Sequence, residues 1–331
     1  MRGSVATEAS LEEATPDAAA YMSVVVPVYL NRETLPALID RLEQVSEQLG
    51  GQLEAVFVID GSPDDSGVLL RDLLSVSTLR SKLVWHARNF GSFAAIRTGL
   101  ALTCGDRIAV MTADLQEPVE LLLDFHAALS SGTCDIALGV RRTRSDPWSS
   151  RVAAACFWAL YCRWVQPQMP RGGVDVFACT RQVSDAVLVL EESNSSLLGL
   201  LIWLGFKRVE IPYDRVARPH GRSGWTLRKK VRYFSDSMFS FTDLPINLLL
   251  AFGIGGVLLS VLGAAAVLFA WLFIGIRVAG YTPVMLTLFA MGSLTLSGIG
   301  VVGSYVWRTY ENSKRRPGAV RMLIENFHAP E

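Results

Sequence analysis

The chain has 331 residues, half of them hydrophobic and only 19% charged, with a mean hydropathy of +0.32. Soluble domains average about 25% charged residues, so this balance points toward a membrane, and the apolar content excludes intrinsic disorder. Five cysteines in so long a chain exclude a secreted disulfide scaffold. The formal charge is zero, but the charges are segregated: residues 1–224 carry 21 basic against 26 acidic groups, and residues 225–331 carry 10 against 5. An apolar, basic C-terminal third suits a membrane anchor, and no nucleic-acid partner is expected.

Residues 1–21 are polar and acidic, without the basic and apolar regions of a signal peptide, and read as a mobile tail. Ser23–Val28 is a β-branched run, and Leu35, Leu38, Ile39, Leu42, Val45 and Leu49 then recur at helical spacing until Gly50-Gly51. Leu53–Ile59 reads as a second strand, closed by the turn from Asp60 to Asp65 and followed by a helix. A short strand at Leu83–His86, a helix over Ser92–Thr103, a strand at Arg107–Thr112, a helix over Val119–Leu129 and a strand at Asp135–Val140 continue the pattern. Such strand–helix alternation predicts a parallel sheet with ligands at the C-terminal strand ends. Pro147–Val165 and Trp225–Phe241 mix aromatic with basic residues, as does a helix lying in a membrane interface; core packing is the other reading, strongest for the first. Cys104, Cys134, Cys156, Cys162 and Cys179 contain no CxxC pair and read as small reduced hydrophobes.

Leu244–Ile276 and Val278–Trp307 are uncharged runs of 33 and 30 residues, separated by Arg277. About 20 apolar residues cross a bilayer as a helix, so a two-helix transmembrane hairpin over 244–307 is expected. Arg228, Lys229, Lys230 and Arg232 precede it, and Arg308, Lys314, Arg315 and Arg316 follow it. The positive-inside rule therefore predicts both termini in the cytoplasm.

Three groups of residues suit chemistry. Asp60 ends a strand at an Asp-Gly turn, where a carboxylate can meet a base or ribose; such turns are also common in their own right. Asp114 closes a strand with Gln116 two residues on, so both oxygens can face one side and hold Mg²⁺ or Mn²⁺ with substrate phosphates, or Asp114 can simply cap the following helix. Arg88-Asn89-Phe90-Gly91 precedes a helix N-terminus suited to an anion, and Arg141, Arg142, Arg144 and Arg151 follow the last strand, suited to a phosphate monoester or a solvated face. No GxxxxGK[ST], GxSxG or HExxH pattern occurs, which removes support for P-loop, serine-triad and zinc chemistry.

Together these segments resemble the polyprenyl-phosphate glycosyltransferases of glycosyltransferase family 2, a group that includes dolichol-phosphate mannose synthase and the bacterial undecaprenyl-phosphate sugar transferases. The resemblance spans roughly residues 22–320 and rests on Val24–Tyr29, Val58–Ser62, Arg88–Gly91, Ala113–Gln116, Gly172–Asp175, Arg218–Trp225 and the tail from Ser304 to Pro317. It implies a GT-A-type, Rossmann-like α/β cytoplasmic domain over 22–224, an interfacial amphipathic helix over 225–243, the hairpin, and a cytoplasmic tail over 308–331. It further implies an inverting transfer of a sugar, UDP-linked by preference, to polyprenyl phosphate at the bacterial inner membrane, with a divalent cation and assembly as a homotetramer. By position, Pro27, Tyr29, Asp60, Arg88 and Asn89 would hold the nucleotide sugar, with Arg218 and Ser223 closing over it. Asp114 and Gln116 would take the metal and diphosphate, and Arg141 and Arg151 the acceptor phosphate.

Three positions depart from the family pattern. Ile59 replaces the first Asp of a pair, Thr112 the first Asp of Asp-Ala-Asp, and Leu30-Asn31 an Asn followed by an acidic residue. Thr112 leaves one carboxylate fewer for a metal. A phosphate acceptor is already anionic at neutral pH, so this chemistry needs no general base. Competing expectations are an inactive scaffold or sugar-nucleotide sensor, suggested by Thr112 and Ile59, and a processive polysaccharide synthase. Leu160 stands where the latter's Gln-x-x-Arg-Trp motif needs Gln. A transporter is excluded because the spans hold no ionisable residue for a substrate path.

Overall fold

The structure is a computed structural model that describes residues 22–142, 158–170, 174–192, 195–216, 227–273 and 281–327. Its first half alternates as expected: β1 (Met22–Val28), α1 (Leu35–Gln48), β2 (Leu53–Ile59), α2 (Ser66–Val76), β3 (Arg80–His86), α3 (Ser92–Leu100), β4 (Arg107–Val110), α4 (Leu121–Ser130) and β5 (Ile136–Arg141). A helical segment, α5, follows over 158–164. Then come β6 (Val176–Thr180), α6 (Arg181–Val189), α7 (Leu197–Trp203), β7 (Arg208–Tyr213), α8 (Leu227–Phe241), α9 (Leu244–Phe273), α10 (Tyr281–Ser313) and β8 (Arg321–Phe327).

The strands form one eight-stranded sheet in the order β7-β5-β6-β4-β1-β2-β3-β8. It is mixed rather than parallel throughout. β1 to β4 pair in parallel, but β6 runs antiparallel between β4 and β5, and β8 runs antiparallel along β3. Strand alternation divides the core between the two faces. Val24, Val26, Val28 and Phe57 pack with α1, α2 and α4, whereas Val25, Val56 and Val58 pack with α3, α5, α6 and α7. Because helices cover both faces, β1 and β2 are apolar at nearly every position, which is why they were legible as strands. α1 starts with a proline in its first turn and is stopped by Gly50 and Gly51, both at positive φ.

Two differences from the expected layout matter for the site. First, the residues after the second apolar run are not only a tail. α10 extends to Ser313, and β8 then joins the sheet edge, where Arg71 and the Trp85 indole N–H both bond Glu325 at 2.7 Å. Second, the aromatic face of α8 is turned inward. Tyr233 stacks on buried Tyr161 at 5.9 Å, its hydroxyl lies 3.0 Å from Ser196 Oγ, and Phe241 fills a space that a Cβ on Gly199 would occupy. Core packing thus accounts for Tyr161 and for Tyr233, Phe234 and Phe241 of α8, while Phe239 meets Tyr305 of α10.

α9 and α10 stand apart from this domain. Leu244–Gly263 of α9 is long and apolar enough to cross a membrane, and none of it is buried in the protein; among the described residues it is the one stretch meeting both requirements. The second uncharged run falls on α10, which packs along α9 and exposes Leu296, Ile299 and Val306.

Candidate active site

A cleft of about 1440 Å³ opens at the C-terminal ends of β1, β2 and β4. One wall consists of strand-end residues, among them Pro27, Tyr29, Asp60, Asn89 and Asp114. The opposite wall comes from α8, through Tyr233, Asp236 and Ser237, and from residues 315–318 beyond α10. Parallel α/β sheets place ligands at this end because strand-end loops and helix N-termini converge there.

Asp60 organises the first wall. Its carboxylate accepts hydrogen bonds from the backbone N–H groups of Phe90 and Gly91, each at 2.8 Å, and lies 2.9 Å from His86 Nδ1. The other ring nitrogen of His86 lies 2.9 Å from the Thr98 hydroxyl. Burial would raise the Asp60 pKa, but His86 and the two amides outweigh it and hold the carboxyl below its ordinary range. Asp60 therefore fastens the 88–91 loop to the end of β2, and its oxygens are engaged. The loop approaches so closely that a Cβ on Gly61 would lie 2.3 Å from Arg88 backbone carbon, so glycine is required there. Arg88 stacks over Phe90 at 4.0 Å, and Asn89 lines the cleft.

Tyr29 is half-exposed beside Leu30, whose N–H donates to Ser62 Oγ at 2.8 Å. Leu30, Leu115 and Arg315 have φ of 58°, 56° and 45°, and among the described residues no other non-glycine is left-handed. Leu30 and Arg315 line the cleft and Leu115 links Asp114 to Gln116, so the strained backbone is concentrated here, as is common where side chains are aimed for function.

Asp114 lies 9% exposed on the floor. Its Oδ1 accepts from the Thr112 hydroxyl at 2.7 Å and from the Gln116 N–H at 3.3 Å. The same Thr112 hydroxyl contacts the carboxylate of Glu117. One hydroxyl proton serves only one of these two acids at a time. Burial pushes the Glu117 pKa up to about 7, the nearby charges of Asp114 and Asp175 add to the rise, and Thr112 and Arg215 only partly oppose it. Gln116 Oε1 accepts from an Arg215 guanidinium nitrogen at 2.6 Å.

Arg141, expected at the acceptor phosphate, does not line the cleft. It pairs with Asp175, which also accepts from Tyr213 Oη at 3.0 Å, and this pairing outweighs burial to keep the guanidinium pKa raised. Arg142 is exposed and 3.7 Å from Asp214. Arg144, Arg151, Arg218 and Ser223 lie outside the described residues. Pro27, Tyr29, Asp60, Asn89 and Asp114 are thus brought together, whereas Arg141 and Gln116 do not line the cleft and are engaged by Asp175 and Arg215.

No group of three His, Cys, Asp or Glu residues suited to a metal occurs among the described residues. The oxygens of Asp114 and Gln116 suit a hard cation whose other positions are filled by substrate phosphates and water, provided Gln116 exchanges Arg215 for the ion. Glu117, His86 and Arg315-Arg316 had received no site role from sequence. The available signal was their place beside strand ends or, for the arginines, next to the helix end.

The family model for glycosyl transferase family 2 matches residues 23–182. An uncharacterized glycosyltransferase of Bacillus subtilis, YkcC, is 31% identical over 299 residues, covering 89% of this chain and 91% of its own. An uncharacterized glycosyltransferase of Synechocystis is 30% identical over 89% of this chain and 93% of its own. The bactoprenol glucosyl transferase of Shigella phage SfV is 29% identical, covering 92% and 98%. A solved mannosyltransferase from Pyrobaculum calidifontis superposes over 87% of each chain at 17% identity, with a TM-score of 0.43. By the family match and by its likeness to the YkcC and Synechocystis glycosyltransferases over 89% of its length, the chain belongs to glycosyl transferase family 2 and is a glycosyltransferase.

Proposed function

We propose that this glycosyltransferase moves a sugar from a nucleotide-sugar donor, UDP-linked by preference, to a polyprenyl phosphate at the cytoplasmic membrane face, with inversion at the anomeric carbon. The observation that carries the reading is the composition of the cleft: strand ends bearing Asp114 face a wall built from the two segments that flank the apolar helices. A donor held by the sheet and an acceptor held by a membrane can meet only in such a place. The relatives named bactoprenol glucosyl transferases support the lipid class of the acceptor.

The hairpin belongs to the same proposal. α8 is packed on the domain before α9 begins, and β8 pairs with β3 after α10 ends. Arg308, on α10, also meets Asp236 of α8 at 2.8 Å. Both ends of the helix pair are tied to one domain, so the number of crossings is even; if α9 crosses, α10 returns. The exposed apolar flanks of both helices fit lipid.

In this reading Tyr29, Pro27 and Asn89 cradle the nucleoside, and Asp60 holds the 88–91 loop that completes the cradle. Arg88 braces that loop through Phe90. Arg218 and Ser223 close over the donor, and Arg151 and Arg141 serve the acceptor half, the latter fixed by Asp175. Asp114 and Gln116 hold Mg²⁺ or Mn²⁺, which when bound supplies positive charge for the departing nucleoside diphosphate. The acceptor phosphate, with a second pKa near 6, is nucleophilic without a base. The chain's task is to aim it and to keep water away from the anomeric carbon.

Purified protein in lipid nanodiscs, given a panel of nucleotide sugars with undecaprenyl phosphate or undecaprenol, tests the proposal. A phosphodiester-linked lipid sugar of inverted anomeric configuration is expected. Preferential glycosylation of the neutral alcohol overturns it.

A further inference from the structure

We infer that Arg315 and Arg316 form an anion-binding pair that receives the acceptor's phosphate, carried into the cleft by the pairing of β8 with β3. The inference rests on the proposed transfer to a polyprenyl phosphate and adds the residues that meet its headgroup.

Among the described residues, seven acidic side chains line the cleft, and a phosphate dianion entering it is repelled unless cations meet it. Four described arginines line the same cleft: Arg32, Arg97, Arg315 and Arg316. Arg32 is engaged by Asp65 at 2.8 Å. Arg97 is turned away, its two terminal nitrogens donating to the carbonyls of Val187 and Leu188 at 3.1 and 3.0 Å. Arg315 and Arg316 are exposed to the cleft and form no ion pair with a carboxylate among the described residues. Among the described residues, they are the cleft cations that an incoming anion can engage.

Their position is built rather than incidental. The segment between the end of α10 at Ser313 and the start of β8 at Arg321 is too short to wander, and both of its ends are fixed. The Ala87 N–H donates to Val320 O at 3.0 Å, clamping the segment beside the end of β3, next to the 88–91 loop. Arg315 adopts a left-handed backbone at φ 45°, an uncommon state for a residue with a side chain, which turns the chain out of the helix axis toward the cleft. The pair follows directly on the helix that leaves the apolar layer. A lipid whose tail lies along α9 and α10 therefore presents its phosphate at this height first, and two guanidinium groups give it charge-assisted, planar hydrogen bonds. The diphosphate of the donor has the same chemistry, and the experiment must separate the two sources.

Full-length protein in nanodiscs, as wild type, R315A/R316A and R315K/R316K, is titrated with undecaprenyl phosphate, with undecaprenol and with UDP. The alanine pair is expected to weaken undecaprenyl-phosphate binding about tenfold or more, while UDP and undecaprenol binding stay within about twofold; the lysine pair restores most of the loss. The single variant R316Q leaves the left-handed position untouched and is expected to lose about threefold, so it decides the matter if the double variant does not fold. Weakened UDP binding with unchanged lipid binding assigns the arginines to the donor and overturns the inference. Unchanged binding of both phosphates overturns it too. A wild-type protein that binds undecaprenyl phosphate no better than undecaprenol refutes the underlying transfer reading instead, and is recognised because it needs no mutation.

Discussion

Two buried glutamates sit at opposite ends of the same sheet and are treated in opposite ways. Glu54, near the N-terminal ends of the strands, is fully buried and well partnered: Ser23 Oγ donates to it at 2.5 Å, the Cys104 N–H at 2.8 Å, and Lys82 Nζ lies 2.9 Å away. Burial raises its pKa, but these partners win and lower it. Glu117, at the C-terminal ends, is as deeply buried but shares one hydroxyl with Asp114, and its nearest cation, Arg215, is 3.7 Å off. Its pKa rises to about 7. The difference separates a buried carboxylate whose partners outweigh its desolvation from one, next to the cleft, whose partners do not.

The sharpest break of this contrast is Asp114→Asn. Turnover with nucleotide sugar and lipid phosphate should fall about 10³-fold while the melting temperature changes little, since the effect falls on transition-state charge rather than on packing. A fully active variant removes Asp114 from the chemistry. At the other end, Glu54→Ala takes away the carboxylate paired with Lys82 and leaves the Ser23 hydroxyl and the Cys104 N–H without their acceptor. It should cost about 3–5 kcal/mol in denaturant unfolding, with activity per folded molecule retained. Loss of activity without loss of stability would reverse the roles assigned to the two ends.

The two glutamates also predict opposite pH dependences. Glu117 has a folded pKa above its unfolded value, so between about 4.5 and about 7 the native state holds a proton the unfolded state has released, and stability falls as pH rises. Over that window the wild type should lose up to about 3 kcal/mol relative to Glu117→Gln, which lacks the slope. Glu54, depressed in the fold, contributes stability above its unfolded pKa that is lost as pH falls through its folded value. Melts at about pH 5 and about pH 8 read the Glu117 sign, melts taken from about pH 5 downward read the Glu54 sign, and a Glu117→Gln variant with the wild-type slope refutes the buried-acid account. The smallest effect is expected at the added edge strand. Arg71 is 40% exposed, so Glu325→Ala should speed hydrogen exchange in β8 while leaving the global melting temperature nearly unchanged.

How legible the molecule was depended on whether a signal was local. β1, β2, α1 and the turn at Asp60 were readable because apolar runs, periodicity and Gly breakers are short-range properties. Reversed β6 was not, since nothing in residues 176–180 themselves encodes the direction in which they pair with β4 and β5. β8 was missed because Arg321–Phe327 is a short, exposed strand with charged residues, stabilised only by the edge it joins. In the site, Asp114 was found from its place at a strand end, but the engagement of Asp60 with Phe90 and Gly91 and of Arg141 with Asp175 depends on loops distant in sequence.

The amino-acid order alone determined that strands and helices alternate, that two long uncharged runs close the chain, and that carboxylates fall at strand ends, because each follows from side-chain chemistry within a few residues. The tertiary structure decided which charges remain available. Pairing is settled by elements that meet only after folding, and it turns Arg141 and Arg97 inward while leaving Arg315 and Arg316 facing the cleft.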